Sequence, residues 1–124
     1  PTDSEWNRLV KYLDPNADTV CVNCGQSATA GGMMKSTATQ PTPGGWNAPN
    51  TGATNSSGFT GLPGGSRASG GGFYDLGGSG NWWSSSDAGS GYAWCRILLF
   101  NDAYANRGND GYHRLGFSVR CARD

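Results

Sequence analysis

The chain has 124 residues and a mass of 12.9 kDa, enough for one hydrophobic core and not for two. Nine basic residues balance nine acidic ones, which argues against nucleic acid or an anionic membrane surface as partner, because both are bound chiefly by neutralising their negative charge. Glycine is abundant at 21 residues, but five tryptophans supply burial units that a disordered tract lacks, and no apolar run approaches a membrane span.

Thr2 and Glu5 have the spacing of a capping box, Trp6, Leu9, Val10 and Leu13 recur at helical intervals, and Asp14-Pro15 ends the pattern. A short amphipathic helix packed on a sheet is predicted, with Asn7, Arg8 and Lys11 on its exposed side. Cys21-Val22-Asn23-Cys24 lies in a turn region; with Cys95 and Cys121 it permits three complete disulfide pairings. The spacing also suits a zinc knuckle, but the other two cysteines are far apart and His113 is the single histidine. A short local disulfide or inert thiols are therefore expected, with an oxidising compartment favoured and no metal. Ala30 to Lys35 reads as a short strand with a glycine kink, Met33 and Met34 filling a core gap.

Residues 41–72 are dominated by Pro, Gly, Asn, Ser and Thr and read as long loops pinned by Trp46, Phe59 and Leu62. The amides and hydroxyls of Asn47 to Asn55 suit bonds to their own backbone. Gly58 to Gly65 looks like a short strand ending in a turn, and Gly71 to Leu76 like another. Neither is a phosphate loop, since no lysine follows Lys35. Trp82 to Ser86 and Gly116 to Cys121 have the composition of strands. Between them runs an unpatterned mixture containing Tyr92, Cys95, Ile97, Leu99, Asn101, Tyr104, Arg107, Asn109, Asp110, Tyr112 and His113. The start at Pro1 and the absence of a basic-then-apolar leader suit a mature or excised domain.

Six blocks in order carry a resemblance: Glu5-Trp6 with Leu9 and Tyr12-Leu13; Ala30-Gly31-Gly32 with Lys35; Trp46 with Pro49 to Thr60; Leu62 to Arg67; Trp83 to Ser86; and Gly116 to Cys121. Together they resemble the Fibrobacter succinogenes major paralogous domain, a module of bacterial surface and secreted proteins. The resemblance covers most of the chain and implies an α+β, C-type-lectin-like single domain over residues 1–124. Such a domain has a small twisted antiparallel sheet, one or two short helices and long ordered loops. Cys21-x-x-Cys24 departs from the family pattern and marks local elaboration.

The same fold is that of the variable proteins of diversity-generating retroelements, where adenine-directed mutagenesis randomises codons near the C-terminus. Randomising AAC at its adenines cannot produce Lys, Glu, Gln, Met or Trp, and apart from Trp94 every residue from Tyr92 to Arg114 is in the permitted set. The support is mild, because Lys, Glu, Gln and Met are absent from Pro41 onward. Strand parity adds a separate argument. Trp94, Arg96, Leu98 and Phe100 would share one face, and Cys95, Ile97, Leu99 and Asn101 the opposite, solvent-facing one. Tyr104, Arg107, Tyr112 and His113 would complete a surface rich in interface side chains; the competing reading buries Ile97 and Leu99 in the core.

The expected function is non-catalytic: a rigid scaffold that binds a protein or glycan receptor on another cell or surface through residues 92–114, with other pilus or surface-protein subunits as further candidate partners, without cofactor and without membrane insertion. The resemblance implies a bacterial cell-surface, pilus-tip or extracellular setting, or a phage tail. One alternative is a saccharide-binding lectin using Trp46, Asn47, Asn50 and Asp75; another is a surface module with no specific ligand. An oxidative enzyme would need Cys95 and Cys121 together, and no nucleophile motif or carboxylate pair is evident.

Overall fold

The computed structural model describes residues 1–123. Helix α1 (Asp3–Leu13) begins at the predicted capping box, with the Glu5 amide donating to Thr2 Oγ1 at 3.2 Å and the Thr2 amide to Glu5 Oε2 at 2.7 Å. Strand β1 (Cys24–Ser27) and helix α2 (Ala30–Met34) follow. A two-stranded ribbon, β2 (Ser66–Arg67) and β3 (Phe73–Tyr74), precedes the long strands β4 (Ser79–Gly89), β5 (Tyr92–Leu99) and β6 (Ala105–Tyr112). The main sheet has the order β1-β6-β5-β4, antiparallel throughout. The molecule is thus an α+β domain with two short helices and a four-stranded antiparallel sheet.

The core lies between the helices, the loops and the α1 side of the sheet. Trp6 and Val10 are buried, Leu9 and Leu13 pack against them, and Phe59 joins Trp6 to Trp82 by edge contacts at 5.7 and 5.4 Å. Such aromatic pairs add packing energy beyond the area they bury. Trp46 is wholly buried, its indole N–H donating to the Gly61 carbonyl at 3.0 Å. It pins the long loop, as its isolation among polar residues predicted. Asn7, expected on the exposed side of α1, is half-buried and accepts from Gln26 and Arg96.

Three strand expectations are corrected. Ala30 to Met34 forms a helix, because its glycines serve close approach to loops: a Cβ on Gly31 would run into the Tyr104 carbonyl and one on Gly32 into the Gly52 carbonyl. Gly58 to Gly65 makes only single bridges, Gly61 with Lys35 and Gly65 with Gly80. Gly116 to Cys121 likewise makes only single bridges, Gly116 with Arg67 of β2 and Ser118 with Trp82 at the outer edge of β4. Strand β6, by contrast, arises from the polar stretch ANRGNDGY, which has no apolar alternation. Its backbone is paired on both sides, so hydrogen bonding rather than side-chain pattern makes it a strand.

Candidate binding surface

Directly opposed residues of antiparallel strands project to the same face. Trp82 opposes Arg96, and Arg96 opposes Arg107, so this series faces α1. Trp83 opposes Cys95, and Asn81 and Asn106 flank Ile97, so this series faces away. The α1 side is locked by one carboxylate. Asp3 accepts from Arg96 Nη1 at 2.9 Å, from Arg107 Nε at 3.0 Å and from Arg107 Nη2 at 2.6 Å. Arg96 also donates to Asn7 Oδ1, and Arg107 to the Cys21 carbonyl, while the Arg107 guanidinium stacks on Trp94 at 3.8 Å. Burial alone would push the Asp3 carboxyl up, but the hydrogen bonds and charges of the two arginines outweigh it and hold the group below its ordinary range.

Two expected contact residues are therefore corrected. Arg107 is only 8% exposed and its guanidinium is engaged by Asp3, Cys21 and Trp94, so it is part of the frame. Cys95 lies on the outward face as parity predicts, yet is 1% exposed. The pairing of β5 with β6 shifts register between Ala93 and Cys95, and both the Cys95 sulfur and the Asp110 carboxylate crowd the bare Cα of Gly108. Burial, reinforced by the charge of Asp110, pushes the Cys95 thiol up to about 11.

The other nine predicted residues divide between the two ends of the sheet. At the β4–β5 turn, Tyr92 and Tyr112 are cross-strand partners, 39% and 38% exposed, with ring centroids 5.5 Å apart. Asn109, Asp110 and His113 belong to this end, His113 Nε2 standing 3.7 Å from Asp87. At the opposite end are half-buried Leu99, exposed Asn101 and Tyr104, which is 44% exposed with its ring against Gly25. Ile97 sits between, half-buried. Seven residues at ~3.3 Å each separate Tyr92 from Leu99 by about 23 Å, so the set forms two clusters rather than one patch.

Among the described residues, none of these nine side chains makes a hydrogen bond that defines the fold. The positions are held through the main chain: the Asn109 amide donates to Asn23 Oδ1, the His113 amide to the Gly91 carbonyl and the Tyr104 amide to Asp102. The family model of the Fibrobacter succinogenes major domain matches residues 1–123. The chain belongs to that family. No curated protein and no solved structure matches it.

In this Fibrobacter succinogenes major domain, Cys21 and Cys24 form a disulfide, which fits an oxidising compartment, while Cys95 and Cys121 are free thiols, one buried and one exposed. No helix among the described residues is long and apolar enough to cross a membrane, and no group of three His, Cys, Asp or Glu among them could hold a metal ion. Of the lectin candidates, Trp46 and Asn50 are buried, Asn50 donating to the Ser36 carbonyl, so that set forms no exposed sugar platform. Asn47 and Asp75 remain exposed.

Three supporting residues escaped the sequence reading. Asp3 has the look of an ordinary acidic residue in a helix's first turn. Asn23 looks like a turn residue, which its φ of 53° bears out. Buried Lys35 donates to the carbonyls of Thr51 at 2.8 Å, Leu99 at 2.9 Å and Asp102 at 2.7 Å, so it fixes the arc that carries Asn101 and Tyr104. The Gly-Gly-Met-Met-Lys run gives no hint of that destination.

Proposed function

We propose that this domain is a non-catalytic receptor-binding module with a C-type-lectin-like fold, whose residues 92–114 are the diversified segment of a diversity-generating retroelement. Its setting would be a bacterial surface adhesin, a pilus tip or a phage tail, and its partner a protein or glycan on another cell or surface. One observation carries this reading: the expected variable positions contribute main-chain bonds to the fold, while their side chains, apart from Cys95, Arg107 and the partly packed Ile97, Leu99 and Tyr104, make no hydrogen bond among the described residues that defines it. A scaffold of that kind tolerates exchange of the side chains that meet a partner while keeping their positions, which lowers the entropic cost of binding. The buried Arg96–Asp3–Arg107 network and Lys35 supply the rigidity.

Affinity would come from the aromatic anchors Tyr92, Tyr112 and Tyr104, with Asn101, Asn109 and His113 giving directional bonds. The encoding locus tests the assignment. A near-copy of the segment coding for residues 92–114, differing only where the copy has adenine and lying beside a reverse transcriptase gene, is expected. Its absence removes diversification and leaves an unspecified surface module.

A further inference from the structure

Resting on that receptor-binding reading, we infer that the partner inserts a cationic side chain, arginine or lysine, into a depression beside Asp110 on the sheet face turned away from α1. The depression has a volume of about 230 Å³ and is lined by Asn23, Cys24, Ile97, Asn106, Arg107, Gly108 and Asp110. Its chemistry favours an incoming donor. Asn106 Nδ2 is directed to the Ile97 carbonyl at 3.3 Å, which leaves its Oδ1 as an acceptor. The Asp110 carboxylate is exposed and, among the described residues, has no salt-bridge partner.

Arg107, the cationic side chain among the lining residues, is committed elsewhere and does not satisfy it. Arg96 and Arg107 project to the α1 side, where both are bound to Asp3, and Arg107 also donates from Nη1 to the Cys21 carbonyl and stacks its face on Trp94. A partner that covers the depression takes Asp110 out of water, and an unpaired carboxylate in that position is costly. A guanidinium or ammonium restores the balance with charge-assisted hydrogen bonds, and the methylene stem of either side chain packs on Ile97. An anion meets repulsion, and a neutral group leaves the carboxylate unneutralised. The floor is pre-set, because Asn23 bonds the Asn109 amide from within the Cys21–Cys24 loop.

Titration of the 15N-labelled domain with N-acetyl-arginine methylamide, against its neutral isostere N-acetyl-citrulline methylamide, tests the inference. Saturable shifts at the amides of Asn23, Ile97, Asn106 and Gly108 are expected with the arginine compound alone. Asp110→Asn should weaken them at least tenfold while leaving the rest of the spectrum unchanged. Equal responses to both compounds, no saturable response, or an unaltered response in D110N would each overturn it. Any of these results leaves the receptor-binding reading standing, whereas a locus without the adenine-marked copy overturns diversification without altering the titration.

Discussion

Asp3 gives both carboxylate oxygens to two arginines that come from strands far along the chain, and one of these, Arg96, is 1% exposed. Asp3→Asn leaves buried positive charge without an anion and should cost about 3 kcal/mol at neutral pH, measured by urea unfolding. The pH dependence has a definite sign. The folded-state pKa of Asp3 lies below its ordinary 3.8, so its stabilisation is complete above that pH and is lost as pH falls through the folded value. Glu5 and Asp14 are also held low, by hydrogen bonds from Thr2 and Ser27, so the acid decline in D3N should shrink and not vanish. Cysteine reactivity provides a second check at this scale. Cys95 is buried with its thiol pushed up to about 11, and Cys121 is exposed. Without reductant, a thiol reagent should label one cysteine in the native protein and two in guanidinium chloride; two fast native labels would contradict the burial of Cys95.

Helix α2 is only five residues long, too short to persist on its own propensity, and two of its residues are glycines. Its place is set by contact, since the backbones of Gly31 and Gly32 lie against the Tyr104 and Gly52 carbonyls. Gly31→Ala should therefore destabilise the domain by on the order of 3 kcal/mol, although alanine is the better helix former; an unchanged melting temperature would refute the close approach. The same contest explains which elements could be read from sequence. Helix α1 is legible because capping box, apolar spacing and proline stop agree, and β5 in that strand parity separates Trp94, Arg96 and Leu98 from Cys95, Ile97 and Leu99. Helix α2 and strand β6 are opaque because their residues answer to a carbonyl and to backbone partners contributed from elsewhere. The Gly116 to Cys121 segment misleads in the opposite sense: it has strand composition, but makes only two backbone bonds to the edge of β4.

Across the whole molecule, the proposed function gives frame and display to different atoms. Replacing Tyr92, Asn101, Asn109, Tyr112 and His113 together by serine should lower stability by no more than about 1–2 kcal/mol, near the range of ordinary surface changes. Arg107→Ala alone, which leaves Asp3 half-partnered, should cost more. If the fivefold variant unfolds and R107A does not, the division of roles proposed for residues 92–114 fails. The candidate surface was legible in outline, since parity placed Ile97 and Leu99 on the outward face and the tyrosines are exposed. It was illegible where a bulge decides burial, at Cys95, and where a distant carboxylate recruits a side chain, at Arg107.

The tie between Asp3 and Arg107 spans 104 positions. During synthesis the first helix emerges with its buried face unmatched, since Trp82, Leu98 and both arginines are made last. A helix of 11 residues is marginal in water without a surface to dock on. The core is therefore expected to close only after nearly the whole domain is available, its contacts being largely non-local. Until then an open polypeptide is expected, the form that a chaperone or a translocation machine can hold.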